Sequence, residues 1–226
     1  MPFALYMLAL AVFVMGTSEF MLAGLLPAIA TELDVSVGTA GLLTSAFAVG
    51  MVIGAPVMAA FARRWPPRLT LIVCLIVFAG SHVIGAMTPV FSLLLITRVL
   101  SALANAGFLA VALSTATTLV PANQKGRALS ILLSGTTIAT VVGVPAGALL
   151  GTALGWRTTF WAIAILCIPA AVGVIRGVTN NVGRSETSAT SPRLRVELSQ
   201  LATPRLILAM ALGALINGGT HIIFVQ

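Results

Sequence analysis

Six apolar runs, each long enough to cross a bilayer, constrain this chain more than any other feature. A spanning helix takes roughly 20 apolar residues at about 1.5 Å of rise each. The segments 4–26, 38–61, 69–87, 91–119, 129–152 and 158–176 meet that length. A stretch rich in Ser, Thr, Asn and Arg follows at 177–203 and reads as a cytoplasmic linker. A seventh apolar run begins at Pro204 and stops at Gln226, a truncated helix. Composition agrees, with 59% hydrophobic and 8% charged residues, against the roughly 25% charged residues that cover a water-facing surface. Lipid is the solvent for most of the chain. The fold class is all-α integral membrane: a six-helix bundle over 1–176, the linker, and a partial seventh helix over 204–226. The N-terminus lacks the basic stretch of a cleaved signal and its apolar run is too long for one, so it reads as a retained first helix.

Twelve cations against five acids give a net charge of +7. Their positions argue against a nucleic-acid partner, because they fall in short breaks between apolar runs. Arg63, Arg64 and Arg68 stand in the second-to-third break, Lys125 and Arg127 in the fourth-to-fifth, and Arg176, Arg184, Arg193, Arg195 and Arg205 at and after the end of the sixth run. The opposite side carries Glu32, Asp34 and the single cation Arg157. Positive loops stay in the cytoplasm, which puts the N-terminus and the linker there, in a plasma-membrane protein.

An internal echo is present. Val52-Ile53-Gly54-Ala55-Pro56 in the second run resembles Val141-Val142-Gly143-Val144-Pro145 in the fifth, and an arginine follows each Pro at the same distance, Arg68 and Arg157. Three helices separate the copies, so they run in opposite directions. Inverted three-helix repeats are a transporter device.

Two ionisable side chains lie well inside the spans, Glu19 in the first and Arg98 in the fourth. A charge at that depth costs about 2.5–3.5 kcal/mol on insertion scales and faces a cavity or a partner. Each is seven residues from its expected outer end, at 26 and 91, so both lie at a depth of roughly 10 Å. They form either a protonation switch at Glu19 reported by Arg98, or a static ion pair. The switch is favoured, because a static pair offers nothing that apolar packing would not. Asn105 lies one heptad after Arg98, with Ser101 between them, making a polar stripe. Met15 and Ala23 flank Glu19 at helical spacing, on a surface suited either to an amphipathic ligand or to ordinary packing. Gly135, Gly143, Gly147 and Gly151 recur at four-residue multiples beside Pro145, a pattern for close helix contact and a bend, read as a hinge or as a packing face. Cys74 and Cys167 sit inside apolar runs without metal or redox spacing, and read as packing residues. His82 and His221 are far apart, with no ligand spacing around them, and no phosphate loop is present. No enzyme constellation emerges and no cofactor is expected; an ion gradient remains as the energy source.

These residues resemble the major facilitator superfamily, in particular its twelve-helix drug:proton antiporters. Gly143-Val144-Pro145-Ala146-Gly147, followed by Leu154-Gly155-Trp156-Arg157, resembles the antiporter motif of helix five and its outer loop. Arg98 with Ser101, Ala102, Asn105 and Ala106 resembles the helix-four motif, whose arginine the family implicates in proton coupling. In the second-to-third loop the basic residues are kept, but Arg63 stands where the family has an aspartate. Gly16-Thr17-Ser18-Glu19-Phe20 with Gly24-Leu25-Leu26-Pro27 is similar to the branch that exports chloramphenicol, arabinose and related sugars. The resemblance implies proton-coupled efflux of chloramphenicol-like drugs, conferring antibiotic resistance. Glu19, Arg98 and Asn105 would serve protons and substrate, and Gly143, Pro145 and Gly147 the hinge. An arabinose-type exporter is the rival within the class. Twelve-helix exporters carry a second six-helix half, so the expected partners are lipid, a small-molecule drug, protons, and a missing C-terminal half or a dimer partner. An inactive membrane fragment is the rival outside the class.

Overall fold

A computed structural model describes residues 1–62 and 65–178. Arg63 and Arg64 lie outside the described residues, as do almost all of the expected linker and the whole seventh run. Among the described residues, six helices are long and apolar enough to cross a membrane. We number them α1 Phe3–Glu32, α2 Val37–Ala62, α3 Pro67–Met87, α4 Phe91–Thr118, α5 and α6. α5 runs as Lys125–Ile138, a π-helical turn Ala139–Gly143, and Val144–Leu154, preceded by a short turn Ala122–Gln124. α6 is Trp156–Gly177.

The expected spans and the helices agree closely except at two places. α1 does not end near Leu26 but continues through Pro27 to Glu32. A proline removes only its own N–H from the ladder, and a spanning helix tolerates that loss when neighbours pack around it. α5 is interrupted at the π-helical turn, because Pro145 cannot donate to the carbonyl one turn back and the ladder slips to a wider spacing before it. The reversal from α5 into α6 takes a single residue, Gly155, at φ 89° and ψ 148°, a conformation essentially restricted to glycine.

Large apolar side chains face outward all round, among them Val52, Ile76, Leu149 and Ile165. That surface suits hydrocarbon rather than water. Inside, one apolar cluster gathers Leu8, Phe78, Phe108 and Cys167, and a second gathers Leu22, Leu25, Leu94, Trp156 and Phe160. Both cysteines are buried and free, in packing positions.

Close contact between parallel helices builds the bundle in two matching pairs. On α5, a Cβ at Gly135 would meet the α1 backbone at Ala9 and Phe13, and one at Gly143 would run into the Thr17 side chain. One at Gly147 would meet Met21 at 3.1 Å. On α2, a Cβ at Gly50 would meet Ala102 at 2.7 Å and one at Gly54 would meet Ala106 at 3.0 Å, both on α4. The absent side chains let the backbones approach. The echo glycines Gly54 and Gly143 are 89 residues apart, and their contact partners, Ala106 and Thr17, are separated by the same 89. Exchanging α1 with α4, α2 with α5 and α3 with α6 therefore carries one close contact onto the other, which is the packing signature of an inverted three-helix repeat.

Candidate functional site

The polar residues that the sequence places inside the spans meet in the bundle interior, between α1, α3 and α4. Arg98 is buried, and it reaches across to α1 one residue before Glu19: its Nη1 donates to Ser18 Oγ at 3.2 Å and its Nη2 to the Ser18 carbonyl at 3.3 Å. The guanidinium also lies over the Phe47 ring, 4.6 Å from its centroid, a favourable placement for a cation sheltered from water. The carboxylate of Glu19, half-buried, accepts a hydrogen bond from Asn105 Nδ2 at 3.3 Å and lies within electrostatic reach of Arg98. Arg98 and Asn105, seven residues apart on one face of α4, thus clasp adjacent residues of α1. Arg98 Nε is buried without a hydrogen-bond partner among the described residues.

Arg98 comes beside Glu19 through its bonds to Ser18, although α1 is longer than expected. Leu26, Leu33 and Phe91 all pack against the second cluster. Ser101 does not extend the polar stripe toward α1; its hydroxyl donates to the Arg98 carbonyl on its own helix at 2.9 Å. Met15 is buried in the first apolar cluster, whereas Ala23 is exposed.

The glycine motif comes to the same region. Gly143, Gly147 and Gly151 are buried against Thr17, Met21 and Leu25 of α1, while Pro145 is exposed on the opposite side. Gly143, which ends the π-helical turn, packs on Thr17, two residues before Glu19. Such turns relax the helix ladder and concentrate near functional sites.

Arg68 is not a loop residue; it sits in the first turn of α3 and donates to the Ile175 carbonyl at 2.6 Å, capping the end of α6. At the other end, Arg157 Nε meets Glu32 Oε1 at 2.7 Å, and its Nη1 donates to the carbonyls of Ala86 at 2.8 Å and Thr88 at 2.7 Å. Trp156 Nε1 donates to the other Glu32 oxygen at 2.6 Å. One arginine therefore ties α1, α3 and α6 together. Sequence reasoning set Glu32 and Arg157 on the same side without pairing them. It also passed over His82, whose Nε2 lies 2.5 Å from Ser18 Oγ; the available signal was a lone imidazole in the third run.

Comparison with known proteins follows the same lines. The profile of the Major Facilitator Superfamily matches residues 8–225. The chain belongs to the major facilitator superfamily. It is 61% identical over 225 residues to a chloramphenicol resistance protein of Streptomyces lividans, covering 99% of this chain and 57% of that protein. It is 33% identical over 208 residues to the inner membrane transport protein YdhP of Escherichia coli (strain K12), covering 92% and 52%. The chain thus spans about half the length of the curated relatives it matches. Among solved structures, the peptide transporter POT in complex with sulfate superposes with a TM-score of 0.72 at 15% identity, covering 96% of this chain and 47% of that one. The in meso structure of the POT-family transporter PepTSo gives 0.69 at 16% identity, covering 78% and 37%. At such identities the likeness is one of fold. The superfamily fold and these relatives make this a multi-pass membrane protein of a transporter family, not an enzyme.

Proposed function

We propose that the chain is the N-terminal half of a proton-coupled exporter of chloramphenicol-like drugs in the plasma membrane, its N-terminus cytoplasmic. The observation that carries this reading is the 61% identity to a chloramphenicol resistance protein along 99% of the chain. The interior cluster supports the coupling. Glu19 is an acid at the site and is half-buried, which supports a role in trading a proton. With Glu19 ionised, Asn105 and the charge of Arg98 hold the carboxylate. With Glu19 protonated, the guanidinium is left with Ser18 and the Phe47 face. Its Nε has no hydrogen-bond partner among the described residues, and a buried unpaired donor costs about 1–3 kcal/mol, so a second arrangement of Arg98 has little to overcome. Drug and proton would compete for these two states, and the gradient would supply the energy without any cofactor.

A second six-helix half fits the exposed faces. α2 and α5 are the least buried of the six helices among the described residues. Both present valines, leucines and isoleucines outward on the sides away from α4 and α1. These are the faces we assign to the C-terminal half or to a second copy. The test is uptake of labelled chloramphenicol and labelled arabinose into inverted membrane vesicles holding the chain and the C-terminal half of the Streptomyces relative. Gradient-driven uptake of chloramphenicol is expected; uptake of arabinose alone would move the substrate to sugars, and uptake of neither would overturn the export reading.

A further inference from the structure

A buried imidazole that the coupling scheme does not use lies against its central contact. His82, on α3, is buried, with its ring between Phe78 at 4.4 Å and Phe160 at 5.4 Å between centroids. Nδ1 lies 2.8 Å from the Phe78 carbonyl and Nε2 lies 2.5 Å from Ser18 Oγ. The chemistry of each partner fixes the direction of these bonds. A carbonyl only accepts, so Nδ1 carries the proton. In the neutral ring Nε2 is then an acceptor, and the Ser18 hydroxyl must donate to it. That hydroxyl spends its one hydrogen on the ring and turns its lone pairs to Arg98 Nη1 at 3.2 Å. The donors run one way: Arg98 to Ser18, Ser18 to His82, His82 to the Phe78 carbonyl. An imidazolium would break this order. Ser18 Oγ would then sit between two cationic donors, and its own hydrogen would lose the ring as its acceptor.

We propose that His82 is a positioning residue of the coupling site: its neutral ring, anchored on Phe78, orients the Ser18 hydroxyl so that its oxygen receives Arg98 beside Glu19. The inference rests on the reading of Glu19 and Arg98 as the coupling pair and deepens it. α3 thereby takes part in a site that otherwise belongs to α1 and α4. Rotating Arg98 away from Ser18 leaves a hydroxyl that is already satisfied by the ring, so the guanidinium is released without stranding a buried donor on α1.

The test is nitrogen NMR of the chain in lipid nanodiscs, labelled at histidine and arginine, with His221 separated from His82 by the His82 variants themselves. The expected wild-type spectrum shows His82 protonated on Nδ1 and bare on Nε2. His82→Phe fills the ring volume with no acceptor, and Ser18→Ala removes the relay. Each is expected to speed rotation of the Arg98 guanidinium roughly tenfold, the factor that ~1.4 kcal/mol of hydrogen bonding corresponds to. His82→Gln, which restores an acceptor near the position of Nε2, is expected to keep Arg98 close to wild type. A proton on Nε2, or an imidazolium, in the wild type would overturn the proposal even if no variant folds. So would an Arg98 signal that His82→Phe leaves unmoved. Failure of the coupling reading shows elsewhere: Glu19→Gln keeps every bond in this relay, so unchanged proton-dependent export in that variant removes the coupling role and leaves the Arg98 spectrum to decide the positioning.

Discussion

The contact between α1 and α5 depends on a missing side chain, which makes Gly135→Ala the sharpest test of the packing. A Cβ there would run into the Ala9 carbonyl oxygen and stand 3.0 Å from the Phe13 nitrogen and 3.2 Å from Val12 Cβ. Two of these three neighbours are backbone, so no rotamer change relieves the clash and the helices must part. Overpacking of this kind costs about 1–3 kcal/mol. Replacing a helical glycine returns about 0.5–1 kcal/mol by restricting the unfolded chain. The balance is a loss of ~1–2 kcal/mol. Gly80→Ala supplies the internal control, since a Cβ at that position on α3 meets nothing within 4 Å; it is expected to be neutral or stabilising by up to ~1 kcal/mol. The two variants should therefore differ by ~2 kcal/mol, roughly 30-fold in the unfolding constant. Reversible unfolding in mixed micelles against SDS, followed by the fluorescence of Trp65, Trp156 and Trp161, measures the difference. Equal stability of Gly135→Ala and Gly80→Ala would refute the close contact.

Arg157→Ala removes an ion pair to Glu32, two charge-assisted bonds to carbonyls and stacking over Trp156 at 4.5 Å. The ion pair is partly exposed and contributes little, so the expected loss is ~2–3 kcal/mol, mostly from the carbonyls, with Arg157→Lys recovering only part of it in the same titration. Gly155→Ala forces a side chain into φ 89° and is expected to cost ~1–3 kcal/mol; wild-type stability would show that the turn relaxes freely. Asn105→Leu takes the amide donor from Glu19 Oε2, and vesicle transport should fall roughly tenfold, the factor of one lost charged hydrogen bond, while the yield of folded protein is kept.

The spans were legible because hydrocarbon thickness sets their length, and because α3 begins and ends, and α4 begins, at breaks marked by Pro66-Pro67 and Thr88-Pro89-Val90. The end of α1 was not, because Pro27 stops helices in water but is carried inside this one by its neighbours. The four-residue glycine spacing announced the α1–α5 contact, yet nothing local announced the π-helical turn, which reflects the combination of Pro145 with close packing at Gly143. In the interior, two charges at matched depth were enough to bring Glu19 and Arg98 together. The route taken by Arg98 through Ser18 was hidden, because a serine one residue from a glutamate carries no signal of its own. His82 was judged by its distance from another histidine, a test for metals that overlooks an imidazole whose partner is a hydroxyl. Glu32 and Arg157 were legible as charges on one side but not as a pair, because side alone does not say whether Glu32 or Asp34 meets the arginine.

The most direct measurement is chloramphenicol accumulation in cells that make this chain together with the C-terminal half of the Streptomyces relative, for wild type and Glu19→Gln, with and without a protonophore. Membrane insertion of both variants is confirmed first. The expected result is lowered accumulation in the wild type, restored by the protonophore, and no lowering with Glu19→Gln. Protonophore-sensitive export that survives Glu19→Gln would contradict the role of Glu19, and wild-type accumulation equal to that of empty cells would contradict drug export itself.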